Sequence, residues 1–342
     1  MAQCVADDAA PANPLVASYL PPLRATPLRI STMTATGHVG RTIDLGALFA
    51  QVDALLLPHC LLAPGVLKME YKGEVKGASS RNLLAAVPLA ADRKTFYNQA
   101  TVVLRWPTGP STWKEVNIKL FHNGGVQMTG VNAEALGKAA CGFLLRAIHA
   151  ACATPPVFGL VGDADAPPAL QRYDTQMVNS DYNVGAPLLR YKLHRVLVET
   201  YGLFSTFEPT VYQGVNTKFF YNASRPSDAP PGICVCPALC PGSGRGDGVG
   251  QCKRITISLF QTGGVIITGA RSVAQLDAAY AFTNEVLERH AEEVVRRVFV
   301  APPEVGGKAV AEPKARLALL PHPHPRHVFT LAAAKVVEND SP

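Results

Sequence analysis

No apolar run in this chain is long enough to cross a membrane. The longest, "ALLLPHCLLAPGVL" at 54–67, is broken by prolines and falls short of the ~20 residues a spanning helix needs. A secretory signal is missing too, because "MAQCVADD" has no basic region followed by an apolar stretch. The reading is an intracellular, soluble protein with no membrane partner. Its eight cysteines are then reduced, free or metal-bound rather than disulfide-paired. Catalytic signatures are equally absent: no nucleophile elbow, no His-Glu-x-x-His and no repeated carboxylate pair on facing strands. Asp181 is isolated within its strand and Glu208 belongs to a Glu-Pro turn, so the chain is expected not to be an enzyme.

What is present is an ordinary globular composition, with an apolar share of 48% over 342 residues, enough for a sizeable core. That length suits two domains or one pseudo-symmetric domain with tails. The net charge of +6 suits an anionic partner without demanding one. Residues 1–27 and 300–342 are rich in Pro and Ala without a sustained period, and they read as disordered tails. Residues 154–172 read as a linker on the same grounds.

Between these segments the chain repeats itself. "NIKLFHNGGVQMTG" (117–130) and "TISLFQTGGVIITG" (256–269) share Leu-Phe, Gly-Gly and Thr-Gly at matching positions, which points to a duplicated unit. The first copy, 28–153, opens on the strand-like "STMTATG". A helical period follows at residues 45, 48, 49, 52, 55 and 56. Strands "GVLKMEYKG", "NQATVVLRW", "VNIKLF" and "VQMTG" come next, then a helix over about 132–151. The second copy, 173–299, runs "TQMVNSDYNV", a helix with apolar positions 189, 193, 196 and 197, "VNTKFFYN", a Cys-rich insertion at 232–252, "RITISLF" and "VIITG". It closes on a helix predicted from Ser272, a fitting N-cap, to about Val298. The fold class is α+β.

Alternation sorts the strand side chains. Val116, Ile118 and Leu120, with Ile255, Ile257 and Leu259, should pack under the helices. The opposite face should carry Asn117, Lys119, Phe121, Gln127 and Thr129 in one copy. In the other it should carry Thr256, Ser258, Phe260, Ile266 and Thr268. The first strands add Thr32, Thr34 and Thr36 in the first copy and Gln176, Val178 and Ser180 in the second. A solvated face would hold more Lys and Glu. This one is weakly polar with placed aromatics, as a docking surface would be.

These residues resemble the TATA-box binding protein family, in the divergent versions encoded by large double-stranded DNA viruses. That family is an internal repeat whose halves carry Leu-Ile-Phe-x-Ser-Gly, a Lys, and a strand ending Thr-Gly-Ala. Here the halves read "KLFHNGGVQMTGV" and "SLFQTGGVIITGA", and "FEPTVYQGV" (207–215) is similar to the family's Glu-Pro-x-x-Phe-Pro-Gly. The resemblance covers about 28–298. It implies a saddle of two pseudo-repeats that binds the minor groove of A·T-rich promoter DNA, together with an RNA polymerase and basal transcription factors, in the nucleus or a cytoplasmic viral factory. The kink of about 80° and the wedging known for this family come with the resemblance and are not properties read from this sequence.

Residue by residue, the resemblance makes Phe121, Phe260 and Tyr212 wedges and Thr129 and Thr268 base contacts. It sets Gln176 and Val178 at the second half's central asparagine and valine, and Thr32 and Thr34 at the first half's. For the first half's second wedge, Leu67 and Phe96 both qualify. Gly125 and Gly264 replace the family's turn lysines, while Lys119 and Gln127 stand where apolar groove contacts are expected. Those polar changes leave open a rival reading, a repurposed saddle that binds a polypeptide.

In the insertion, Cys234, Cys236, Cys240 and Cys252 form a C-x-C-x3-C-x11-C set in a Gly-rich loop. That suits a structural tetrahedral Zn2+ site, with a loop of free thiols as the alternative. His322, His324 and His327 read as part of a solvated tail, and Cys4, Cys60, Cys141 and Cys152 as packing or surface residues.

Overall fold

The computed structural model describes residues 18–80, 97–152, 154–159, 168–236, 243–246 and 250–299. The chain enters through β1 (Ser18–Tyr19). The first repeat runs β2 (Arg29–His38), α1 (Leu45–Gln51), β3 (Gly65–Tyr71), β4 (Glu74–Gly77), β5 (Gln99–Gly109), β6 (Thr112–Phe121), β7 (Gly125–Val131) and α2 (Glu134–Ala151). The second runs β8 (Arg172–Asn183), α3 (Arg190–Arg195), β9 (Ser205–Thr206), β10 (Val215–Tyr221), β11 (Lys253–Leu259), β12 (Gly264–Ala270), α4 (Val273–Arg289) and α5 (Ala291–Val294), ending on β13 (Val298–Phe299). β1 and β13 form a small sheet of their own.

The other eleven strands make one sheet in the order β4-β3-β5-β6-β7-β2-β8-β12-β11-β10-β9. Within it every pairing is antiparallel. β2 and β8 meet in the middle, and each repeat extends outward from that junction in the same internal order. The duplication is therefore structural as well as textual.

The repeated glycines explain themselves here. Gly124 (φ 88) and Gly263 (φ 83) turn the chain between β6 and β7 and between β11 and β12. A Cβ would stand 2.0 Å from the Arg41 carbonyl oxygen in the first case and 2.4 Å from that of Ala186 in the second. Only glycine fits both the φ and the space. Gly130 (φ 86) and Gly269 (φ 90) sit where the ladders to β2 and β8 shift register, as bulge glycines do.

One face of the sheet is core. Val116, Ile118, Leu120, Ile255, Ile257 and Leu259 are all buried, as alternation predicts. They join one cluster with Ala140, Leu144 and Ile148 of α2 and Leu276, Ala279 and Val286 of α4. Ser272 caps α4 by accepting from the Gln275 amide. Of the cysteines outside the insertion, Cys141 and Cys152 are buried and Cys60 is exposed. Burial pushes the Cys141 thiol up to about 12.

Several expectations need correction. The last helix ends at Arg289, where His290 leaves helical geometry, and the chain continues as α5 and β13. Order begins before residue 28: Leu20, Leu23 and Leu28 pack against the core, and the Arg24 amide donates to Val184 and that of Thr26 to Asn183. Within 154–172, Val157 and Phe158 are buried, and Phe158 bridges to Ile43. These short segments lack a period because single apolar anchors hold them. The tail from 300 onward, with His322, His324 and His327, and Cys4 and residues 1–17 lie outside the described residues.

Candidate functional site

The face opposite the helices is the candidate site, and the paired register assigns its occupants. β6 presents Asn117, Lys119 and Phe121 beside Thr129 and Gln127 of β7. β11 places Thr256 beside Thr268 of β12 and Ser258 beside Ile266, but Ser258 is only 5% exposed and is covered rather than presented; Phe260 follows two residues on. Asn117, Lys119, Phe121, Gln127, Thr129, Thr268 and Phe260 are partly exposed. Ile266 is 37% exposed, much for a central-strand isoleucine. Thr32 and Thr34 of β2 share this face, with Thr34 opposite Thr129.

β8 overturns two expectations. Val178 is 1% exposed and Ser180 is 0%, so both belong to the core. Thr34 pairs with Met177 but Ala35 pairs with Thr175, which leaves Gln176 as an extra residue. One inserted residue reverses which face every later side chain takes. The open-face positions are therefore Met177, 36% exposed, and Asn179. Gln176 still reaches the face by its amide, which donates to the Thr36 hydroxyl at 2.8 Å.

At one end of the face Tyr212 and Phe260 pack edge to face, with centroids 5.7 Å apart. The loop holding them is tied internally. The amides of Val211 and Tyr212 donate to the Glu208 carbonyl, and the Thr210 hydroxyl donates to the Glu208 carboxylate at 2.6 Å, which holds that carboxyl below its usual range. Arg190 binds this loop to the next by donating to the side chains of Gln213 and Gln261, each at 3.0 Å. Gln213 follows Tyr212 and Gln261 follows Phe260, so one guanidinium positions both rings.

The same register locates the counterpart in the first half. Val215 pairs with Leu259 as Ala100 pairs with Leu120, and Tyr212 lies three residues before Val215. The equivalent residue is Tyr97, 69% exposed. Leu67 is 1% exposed and belongs to the core, and Phe96 lies outside the described residues. Sequence comparison alone missed Tyr97, because the stretch after β4 has no match in the second half to fix the alignment. The register supplies what spacing could not.

The face holds more charge than the central strands suggested. Asp181 is paired with Arg29, Asp174 with Arg172 and Glu70 with Lys68 at 3.5 Å. Among the described residues no carboxylate pairs with Lys119 or Lys218. Lys218 donates to the Thr256 hydroxyl at 3.0 Å. Its ammonium is pushed below the usual lysine range, first by burial and then by Arg254, its diagonal neighbour across β10 and β11. With these three acids neutralised and two lysines lacking a carboxylate partner, the face suits a polyanion with apolar edges.

Beyond the β10–β11 end of the sheet, the sulfurs of Cys234, Cys236 and Cys252 lie within 4.8 Å of one another, with Cys234 and Cys252 3.1 Å apart. The Cys252 amide donates to the Cys236 sulfur at 3.0 Å, and the Asn222 amide lies 3.8 Å from that sulfur. Three thiols converging with N–H donors around them form a donor set able to hold a soft or borderline metal ion. Cys240 lies outside the described residues.

Among curated proteins, the chain is 25% identical over 277 residues to a TATA-box-binding protein-like protein of Acanthamoeba polyphaga mimivirus. The chain is similar to the TATA-box-binding protein family. The match covers 78% of this chain and 66% of the viral protein, so the chain spans just under two thirds of its relative. Methanococcus jannaschii TBP aligns structurally over 77% of this chain and 99% of its own, at 15% identity and a TM-score of 0.42. No family model matches. No described helix is long and apolar enough to cross a membrane.

Proposed function

We propose that the open face binds double-stranded DNA in the minor groove of A·T-rich promoters and bends it. The chain then serves as a general transcription initiation factor beside an RNA polymerase and its basal factors. It works inside the cell, in the nucleus or a cytoplasmic viral factory. The observation that carries this reading is the Tyr212–Phe260 ring pair and the recurrence of its positions at Tyr97 and Phe121 on the other half of the face.

The physics is that of shape and deformability. In the minor groove, A·T pairs show only the acceptors adenine N3 and thymine O2, whereas G·C adds the guanine amine. Thr129, Thr268, Asn179 and Thr34 can donate to those acceptors, and Ile266 and Met177 pack against a groove that lacks the amine. The Tyr212–Phe260 pair in one half, and Tyr97 and Phe121 at the matching positions of the other, enter two base steps. Each insertion costs a few kcal/mol of unstacking, offset by the surface the bent duplex then touches. Lys119, Lys218 and Arg254 attract the phosphates, and no step is catalytic.

Cys234, Cys236 and Cys252, with Cys240 as the fourth ligand expected from the sequence, would hold a structural Zn2+. The metal would supply a tetrahedral cross-link for a loop too poor in apolar residues to fold alone.

Bending supplies the test. A short A·T-rich duplex labelled at both ends should show raised energy transfer when the protein binds, and Phe260→Ala should abolish the rise. Binding without any change in end-to-end distance would contradict the proposal. Capture of a polypeptide on the open face, with no DNA bound, would favour the scaffold reading.

A further inference from the structure

The insertion after β10 brings two sulfurs closer together than a shared metal ion requires. The Sγ atoms of Cys234 and Cys252 stand 3.1 Å apart. Two thiolates on one tetrahedral Zn2+, each about 2.3 Å from it, stand about 3.8 Å apart. A disulfide holds its sulfurs at about 2.05 Å. The pair lies between these geometries: it spreads to take a metal ion and closes to form a bond. It cannot do both at once, because a disulfide sulfur has lost the thiolate charge that binds the metal.

The path of the chain favours the closure. The Phe220 amide of β10 donates to the carbonyl of Gly232, two residues before Cys234, and Cys252 directly precedes β11. A bond between the two cysteines would tie the outer edge of β10 to the start of β11, where Phe220 and Arg254 already pair. Cys234 is partly exposed and Cys252 is buried, so an oxidant from solvent meets Cys234 first and Cys252 waits behind it. The sulfur of Cys236 is engaged elsewhere, accepting from the Cys252 amide at 3.0 Å and lying 3.6 Å from the Gly250 carbonyl. Cys141 and Cys152 are buried in the core. Burial pushes both thiols above their usual range, which leaves them little of the reactive thiolate.

We propose that Cys234 and Cys252 form a redox site whose substrate is a hydroperoxide, and that its oxidation exchanges the metal ion for a disulfide. Cys234 Sγ attacks one oxygen of hydrogen peroxide, the O–O bond breaks, and the other oxygen leaves with the thiol proton as water. Cys252 Sγ then attacks the resulting sulfenic sulfur. The S–O bond breaks, and hydroxide leaves with the Cys252 proton as a second water. Two thiols are oxidised to one disulfide while one peroxide is reduced to two waters. The exchange of metal for disulfide rests on the cluster being a zinc site, whereas the disulfide itself does not.

The test exposes the full chain, purified in reductant and freed of metal, to hydrogen peroxide. Trypsin cuts after Arg245 and Lys253, which leaves Cys252 on the peptide 246–253 and Cys234, Cys236 and Cys240 on another. The expected product is a cross-link between these peptides that fragmentation assigns to Cys234 and dithiothreitol removes. Cys234→Ser should abolish it, and Cys60→Ser should leave its yield unchanged. Thiols left intact, sulfinic acid without a cross-link, or a cross-link from Cys236 or Cys240 would each overturn the redox site. The zinc-loaded chain supplies the second arm, in which one zinc should be released per disulfide formed, read with a colorimetric chelator. Zinc retained under peroxide with no cross-link would sink the redox site and leave the zinc reading intact. A Cys234–Cys252 cross-link in a chain that takes up no zinc would sink the zinc reading, and the exchange with it, while supporting the redox site.

Discussion

Phe260 and Tyr212 are large apolar rings held near water, and each has a reason to be there. Alternation puts Phe260 opposite its buried neighbour Leu259, and Arg190 ties the loops that follow both rings. If the rings enter a base step, Phe260→Ala should weaken binding to A·T-rich duplex by at least tenfold and leave the thermal midpoint nearly unchanged. Unaltered affinity in fluorescence anisotropy would remove the ring from the interface. Arg190→Ala should give a smaller loss of affinity through faster dissociation, since the rings remain but are no longer held. Lys218 adds a pH signature. Its folded-state pKa lies below the ordinary value because of burial and Arg254, so rising pH discharges it earlier than an ordinary lysine. DNA affinity should thus start to fall in the alkaline range, below the usual lysine pKa, and Lys218→Arg should flatten that fall. Protein stability should move the other way. The folded state holds the proton less tightly than the unfolded chain, so stability rises between the two pKa values.

At the scale of elements, the repeated motif was legible because its letters are geometric necessities. Gly124 and Gly263 turn the chain where no Cβ fits, and Gly130 and Gly269 lie at the shifts in the ladders. Gly269→Ala should cost about 1–3 kcal/mol from the positive φ alone, read as a lower midpoint in chemical denaturation. What the sequence could not reveal was the extra residue at Gln176. Period-two reasoning carries a parity, and one unseen bulge inverts it for the rest of the strand, which is why Val178 and Ser180 proved to be core and Met177 and Asn179 did not. Tyr97 stayed hidden for a related reason, since only strand pairing links it to Tyr212. Lys218 and Arg254 carried no such signal, because β10 and the start of β11 lie outside the repeated motif at 117–130 and 256–269. In the insertion, the cysteine spacing did anticipate three thiols in one place. One zinc per purified chain is expected, with both chelation and Cys252→Ser lowering the midpoint of unfolding. A chain that folds equally well and carries no metal would leave the cluster as plain thiols.

At the scale of the whole unit, Ser18–Phe299, two copies of one motif join along β2 and β8 and share a single core. Among the described residues, helices cover one face of the sheet and none covers the other. Duplication gives two equivalent places for aromatic side chains, and Asn117, Lys119 and Gln127 stand in one half where Thr256, Ser258 and Ile266 stand in the other. Asp181, Asp174 and Glu70 on the open face are matched by Arg29, Arg172 and Lys68, and the turn lysines of the family are Gly125 and Gly264 here. Few ionic contacts to phosphate therefore remain, and binding should depend on salt with a shallow slope. The measurement that bears most directly on the central claim is fluorescence anisotropy with two short duplexes, one A·T-rich and one G·C-rich, across a salt series. Binding should be tighter to the A·T-rich duplex, a preference that persists as salt rises and disappears with Phe260→Ala. Equal, weak binding to both duplexes that salt abolishes would contradict it.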